Sequence, residues 1–293
     1  MKKIVLGVCF ALLAITVSHS QQRHNYYSNI WWNELNIKGK LNSKFFYQID
    51  FQYRTGSDAN NKSGSKSSNP FYNTVQLNFR PFLGYQINDN LQFMLAPGIA
   101  PTWNGYRKDV GEYSLEYRLT PQFILNQKIG RVALTHRYRF EMRWFGKSVH
   151  STNSPSQSFD SETFTYDETK TKYRFRYMFR AICPLNNTKI EKGTFYLNFF
   201  DEVHVNLGAN VPSTQQVDQN RINLGLGYRM GRDVRFEIGP FVQTAFSGTT
   251  TGTNVFNNHG VQFFIIINDL KKLFKGDETS TPAVAPAPVE EKK

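Results

Sequence analysis

RVALTHRYRFEMRW, residues 131–144, carries the reading that decides the fold. Val132, Leu134, Tyr138, Phe140, Met142 and Trp144 fall on one phase of a two-residue period, and Arg137, Arg139, Glu141 and Arg143 on the other. An extended chain sends alternate side chains to opposite faces, so this stretch is a strand with an aromatic face and a charged one. The pattern repeats on both sides of it. Residues 172–180 set Tyr173, Phe175, Tyr177 and Phe179 against Lys172, Arg174, Arg176 and Arg180. Residues 113–125 set Leu115, Tyr117, Leu119 and Phe123 against Glu116, Arg118, Thr120 and Gln122. Residues 73–80 oppose Val75, Leu77 and Phe79 to Gln76, Asn78 and Arg80, and 44–54 oppose Tyr47, Ile49, Phe51 and Tyr53 to Gln48, Asp50, Gln52 and Arg54.

Strand length separates the possible β architectures. The alternation predicts strands over 30–38, 44–54, 73–86, 91–103, 113–127, 131–145, 171–183, 194–207, 220–229, 234–246 and 259–268. Most exceed the ~5–6 residues usual in a soluble sheet and reach the ~9–11 that cross a bilayer. Short turns near Gly39–Asn42, Asn88–Asn90, Ile129–Gly130 and Gly231–Asp233 alternate with long polar loops near 55–72, 104–112, 146–170, 208–219 and 247–258. That asymmetry is the layout of outer-membrane barrels, with short periplasmic turns and long extracellular loops. Mean hydropathy is −0.49 although 15% of residues are aromatic, a mismatch that lumen-facing polar positions would produce. The expected fold is all-β, a single antiparallel transmembrane barrel. Barrels of this kind normally have an even strand count, so about twelve strands are expected, with ten as the alternative. The twelfth crossing would come from residues 22–29, unless that segment threads the lumen.

Arginines facing lipid at mid-membrane would cost ~2–4 kcal/mol each, so the charged phase must face inward. The expected lumen ladder is Asp50, Arg54, Arg80, Glu116, Arg118, Arg137, Arg139, Glu141, Arg143, Arg174, Arg176 and Arg180, joined by Glu202, Arg221, Arg229, Arg235 and Glu237 from the later strands. It reads either as the polar core of a closed, structural barrel or as the lining of a narrow channel biased toward small anionic solutes. The basic residues follow strand period rather than an exposed patch, which argues against nucleic acid as a partner.

The ends of the chain read differently. Lys2 and Lys3, the apolar run Ile4–Val17 and Ser18-His19-Ser20 have the layout of a secretory signal cut after Ser20. Removing those two lysines takes the formal charge from +12 to +10. The expected barrel domain is 21–275, and the Pro/Ala-rich tail 276–293 is expected to be disordered. Cys183 is the one cysteine left after the signal, too few for an internal disulfide or a cysteine metal site.

No nucleophile elbow and no zinc pattern occurs. His204, two residues after Glu202, shares a face with it, which fits a buried polar cluster better than an acid–base or metal site. The outer-membrane phospholipases place a serine two residues after their histidine. The matching positions here are Tyr26, Tyr138, Thr152, Asn206 and Val261. No catalysis, metal or cofactor is expected, and a hydrolase remains only as a distant alternative. A second alternative is surface binding through loops 55–72 and 146–170.

Trp32-Asn33-Glu34-Leu35, Lys44-Phe45-Phe46-Tyr47-Gln48, Arg137-Tyr138-Arg139-Phe140-Glu141, Tyr173-Arg174-Phe175-Arg176, Phe200-Asp201-Glu202-Val203, Asn220-Arg221-Ile222-Asn223 and Gly225-Leu226-Gly227-Tyr228-Arg229 follow one another in order. In that order and spacing the chain resembles the domain of unknown function 2490 family, over roughly residues 24–270. The resemblance implies an outer-membrane barrel of Gram-negative bacteria. It carries no activity and therefore no catalytic residues. The implied partners are outer-membrane lipid and the barrel-assembly machinery during insertion. One departure from such barrels stands at the C-terminal end, where Asp269–Phe274 and the tail follow the last strand instead of a terminal aromatic residue.

Overall fold

The computed structural model describes residues 23–57, 67–103, 113–146, 166–208, 211, 215–231, 233–248 and 253–270. The expected signal 1–20 and tail 276–293 lie outside these residues, as do 58–66 and 147–165 of the two long loops. All elements of the described residues are strands: β1 (Arg23–Lys40), β2 (Phe45–Gly56), β3 (Asn73–Gln86), β4 (Leu91–Ile99), β5 (Thr102–Trp103), β6 (Tyr113–Ser114), β7 (Glu116–Ile129), β8 (Val132–Gly146), β9 (Tyr166–Pro184), β10 (Phe195–Leu207), β11 (Val217–Arg229), β12 (Val234–Gly248) and β13 (Thr253–Ile267).

Eleven of them close a barrel. The order runs β2-β1-β13-β12-β11-β10-β9-β8-β7-β4-β3, and the β2–β3 pairing completes the ring. The two-residue pieces β5 and β6 prolong the β4 and β7 hairpin toward its loop, with Thr102 paired to both Gln76 and Ser114. Each remaining neighbour pair is an antiparallel hairpin, with one exception. β1 and β13 run parallel, in unbroken register from Arg23↔Thr253 to Ile37↔Ile267.

The all-β barrel is as the alternation predicts, but two details are corrected. The strand count is eleven rather than twelve or ten, and the barrel is mixed rather than wholly antiparallel. Residues 23–29 add no crossing and do not thread the lumen; they lengthen β1. The parallel seam follows from the parity. Hairpins reverse direction at each step, so after an odd number of crossings the last strand runs the same way as the first.

The hairpin connections explain why one end is tight. Asn42 Oδ1 accepts from the backbone N–H of Lys44 and Phe45 at 2.9 and 2.8 Å, and Asn88 Oδ1 accepts from those of Asn90 and Leu91 at 3.0 Å each. Short amide side chains thus replace backbone partners in the turn. Between β7 and β8, Gly130 has φ 59°, the left-handed conformation that a two-residue hairpin needs.

Candidate functional site

The lumen is built from one phase of each strand. Arg80, Arg139, Glu141 and Arg176 are all below 5% exposed, whereas Leu83 and Leu224 on the opposite phase are 54% exposed. Contacts between strands that are not neighbours prove the direction. Arg137 on β8 reaches Glu202 on β10 across β9, with Nη2 donating to Oε1 at 2.8 Å. Arg180 on β9 reaches Glu237 on β12, three strands away, at 2.5 and 2.6 Å. Only side chains inside the ring can meet this way.

Three carboxylates organise the ladder. Glu141, fully buried, accepts from Arg174 Nη2 at 2.5 Å and Arg176 Nη1 at 2.6 Å. Glu202 accepts from Arg176 Nε and Nη2 and from Arg137, lies 3.6 Å from Arg221 Nη1 and contacts His204 Nε2 at 3.1 Å. Glu116 is shared by Arg118 at 2.6 Å and Arg143 at 2.5 Å. Asp50 sits 3.6 Å from Arg80, and Tyr196 Oη donates to Glu237 at 2.9 Å. Arg139 gives Nε to Gln122 at 2.8 Å, while its Nη1 and Nη2 have no acceptor and face the Phe82 ring.

Arg54 is placed differently from the other arginines. Its guanidinium stacks on Trp32 at 3.6 Å and Nη2 donates to Gln52, but among the described residues it pairs with no carboxylate. Arg221 lies 4.8 Å from the centre of the same indole and donates Nε to Gln243 at 3.0 Å. Two further expected members stand apart from the ladder. Arg229 donates to the backbone carbonyls of Gly231 and Ile190 at the turn rim, and Arg235 reaches Asn268 at 3.3 Å.

Around these groups lies a cavity of about 240 Å³ in the long-loop half of the lumen. Its wall carries Arg54, Arg80, Arg118, Arg143, Arg174, Arg176 and Arg221, with Asp218 as the one carboxylate among the lining residues. The turn half is filled otherwise. Phe82, Met94 and Ala96 form one buried apolar cluster, and Met178, Phe200, Phe264 and Ile266 form another. A second cavity of about 70 Å³ lies against the latter cluster. The interior is therefore a cationic cup above a mixed layer, in which these apolar side chains share the turn half with the Arg180–Glu237 pair, Asn198 and Tyr196.

A family profile described as a protein of unknown function, DUF2490, matches residues 29–254. The chain belongs to the DUF2490 family. No curated protein and no solved structure matches it. The matched span takes in the β1–β12 walls of the cup, so the arginine ladder of this DUF2490 chain lies within the family domain.

Several lumen residues escaped the sequence reading. Trp32, Glu34, Asn36 and Lys38 share the inward phase of β1, a period-two signal that was present in the sequence but masked by the apolar residues around it. Gln52 Nε2 donates to Glu34 Oε2 at 2.8 Å. Asp218 had no such signal. A bulge pairs His204 with Gln219 and Val205 with Val217, leaving Asp218 as the extra residue. Bulges re-aim side chains, and this one brings Asp218 to Arg174 Nη1 at 2.6 Å. The histidines of the hydrolase alternative are engaged elsewhere: His204, fully buried, holds Glu202 and Gln219, and His136 meets Tyr177 Oη at 2.8 Å on the outer phase. Among the described residues no group of His, Cys, Asp and Glu is arranged to hold a metal.

Proposed function

We propose that this chain is an outer-membrane protein, a barrel that spans the bilayer with a lumen closed by its own side chains. The supporting observation is the inverted distribution of its residues. Phe51, Phe79, Leu83, Phe123, Leu197, Leu224, Leu226 and Ile238 are exposed on the outer phase, while arginines and glutamates are buried within. A soluble domain rarely exposes so continuous an apolar surface. Lipid accommodates it, and a closed ring leaves no unpaired edge in the bilayer. Asp201 is the exception on the outer phase of β10, and Asn220 Nδ2 donates to it at 2.7 Å, which lowers the cost of its position. The cross-lumen ion pairs favour the structural, closed barrel over the narrow anion channel, because Arg137–Glu202 and Arg180–Glu237 join strands that are not neighbours through the bore. The partners that follow are outer-membrane lipid and the assembly machinery. Catalysis is not part of the reading.

Envelope fractionation with heat-modifiable gel migration tests the location. Recovery in the outer membrane with a heat-dependent shift is expected; recovery in the soluble periplasm without a shift overturns it. Planar-bilayer recording of the refolded protein tests the closed lumen. No stepwise conductance is expected, and regular unitary openings would restore the channel.

A further inference from the structure

We infer that the loop-side cup is a binding site for a compact oxyanion carrying two or more negative charges, of the phosphate class. The inference rests on the closed-barrel reading, under which the cup is a dead end rather than a passage.

Charge balance is the first support. The seven wall arginines face six carboxylates: Asp50, Glu116, Glu141, Glu202 and Asp218, with Glu34 acting on Arg54 and Arg80 from β1. Glu202 is also shared with Arg137, outside the wall. Arg139 draws on Glu141 in the same way, so among the described residues nine arginines meet six carboxylates, and uncompensated charge inside a barrel is costly. The excess is centred on Arg54, which pairs with no carboxylate among the described residues, beside Arg221, whose 3.6 Å share of Glu202 is divided with Arg137 and Arg176. Arg54 and Arg221 share the Trp32 indole, a ring that draws cations but cannot neutralise them. Among the described residues, Arg54 Nε and Arg80 Nε are buried donors without an acceptor, on two side chains that both line the cup. Planar guanidinium forks match the oxygens of phosphate in pairs. A space of about 240 Å³ is far above the ~10–15 Å³ that admits one water, so it has room for such an anion.

The test uses the full mature chain refolded in detergent, with inorganic pyrophosphate as probe at constant ionic strength. Calorimetry is expected to show one saturable site, and thermal unfolding to shift upward with pyrophosphate but not with chloride. Gln243→Glu is the decisive variant. Its Oε1 still accepts from Arg221, while the added charge replaces the ligand's. This variant is expected to unfold at a higher temperature without ligand and to bind pyrophosphate at least tenfold more weakly. Arg54→Gln is expected to lose binding to a similar degree. Heat-modifiable migration of each sample reports whether the barrel has formed. If the shift is kept and pyrophosphate does not bind, or binds Gln243→Glu equally well, the cup proposal falls and the barrel stands. If no sample shifts, the barrel reading itself fails and the cup falls with it. A short-chain phosphatidic acid titrated in parallel separates the sources. Binding of that lipid without pyrophosphate would put the phosphate on the outer wall and overturn the proposal.

Discussion

At the residue scale, stability turns on carboxylates that each serve more than one arginine. Glu141 holds both Arg174 and Arg176 with no exposure to solvent. Removing one partner of a buried pair leaves the other charge uncompensated, a loss of ~3–5 kcal/mol. Glu141→Ala is expected to lose stability on that scale and to lower the urea midpoint in micelles. Phe51→Leu on the outer phase is expected to change little, because lipid or detergent fills the difference. A double-mutant cycle on Glu141→Gln and Arg176→Gln is expected to show coupling, since the two groups touch; additive losses would show that the ladder is not a network. The charged members were legible one by one, because strand period fixes the phase of each. Their partners were not. Which arginine meets Glu202 depends on register across strands far apart in sequence, and the Asp218 contact depends on a bulge that no periodic pattern marks. The apolar lumen residues were hidden for a related reason. Phe82, Met178 and Phe200 lie two residues from Arg80, Arg176 and Glu202 on the same phase, so single apolar side chains interrupt the polar inward face while the alternation continues.

At the element scale, the seam between β1 and β13 is the feature that alternation alone does not supply. The sequence reads as eleven strands, and the expectation of twelve came from a general rule about parity rather than from any residue. What closes the ring instead is a parallel pair helped by Gly260. It pairs with Ile30, and a Cβ at that position would overlap the Ile30 carbonyl. Gly260→Val is therefore expected to weaken the seam, and a loss of heat-modifiable migration would report it. A chemical test places the seam directly. Asn33 and Phe263 are register partners across it, and paired strands lie ~4.7–4.9 Å apart, within reach of a disulfide. In a Cys183→Ser background, Asn33→Cys with Phe263→Cys is expected to cross-link on mild oxidation of the folded protein. Asn33→Cys with a cysteine at Ile267, four residues along β13, is expected not to. Equal yields from both pairs would mean a sliding or absent seam.

At the scale of the whole molecule, an odd number of crossings separates the two ends of the barrel. β1 begins at Arg23 on the long-loop side and β13 finishes at Ile267 on the short-turn side. An even barrel would return both ends to one side, and in the outer membrane that side is the periplasm. Here the loop side faces outward under the membrane reading, so the start of β1 lies at the cell surface. A cut after Ser20 would leave only Gln21 and Gln22 ahead of Arg23. So short a segment can follow its strand across the bilayer without carrying a folded load. Under the same reading, the tail that follows β13, with Glu290, Glu291, Lys292 and Lys293 at its end, is expected on the turn side. An epitope inserted between Ser20 and Arg23 is therefore expected to bind antibody on intact cells. The same epitope after Lys293 is expected to bind only once the outer membrane is permeabilised. Labelling of both epitopes only after permeabilisation would put the two ends together in the periplasm. That result requires an even barrel, and the parallel seam would then have to give way to an antiparallel closure.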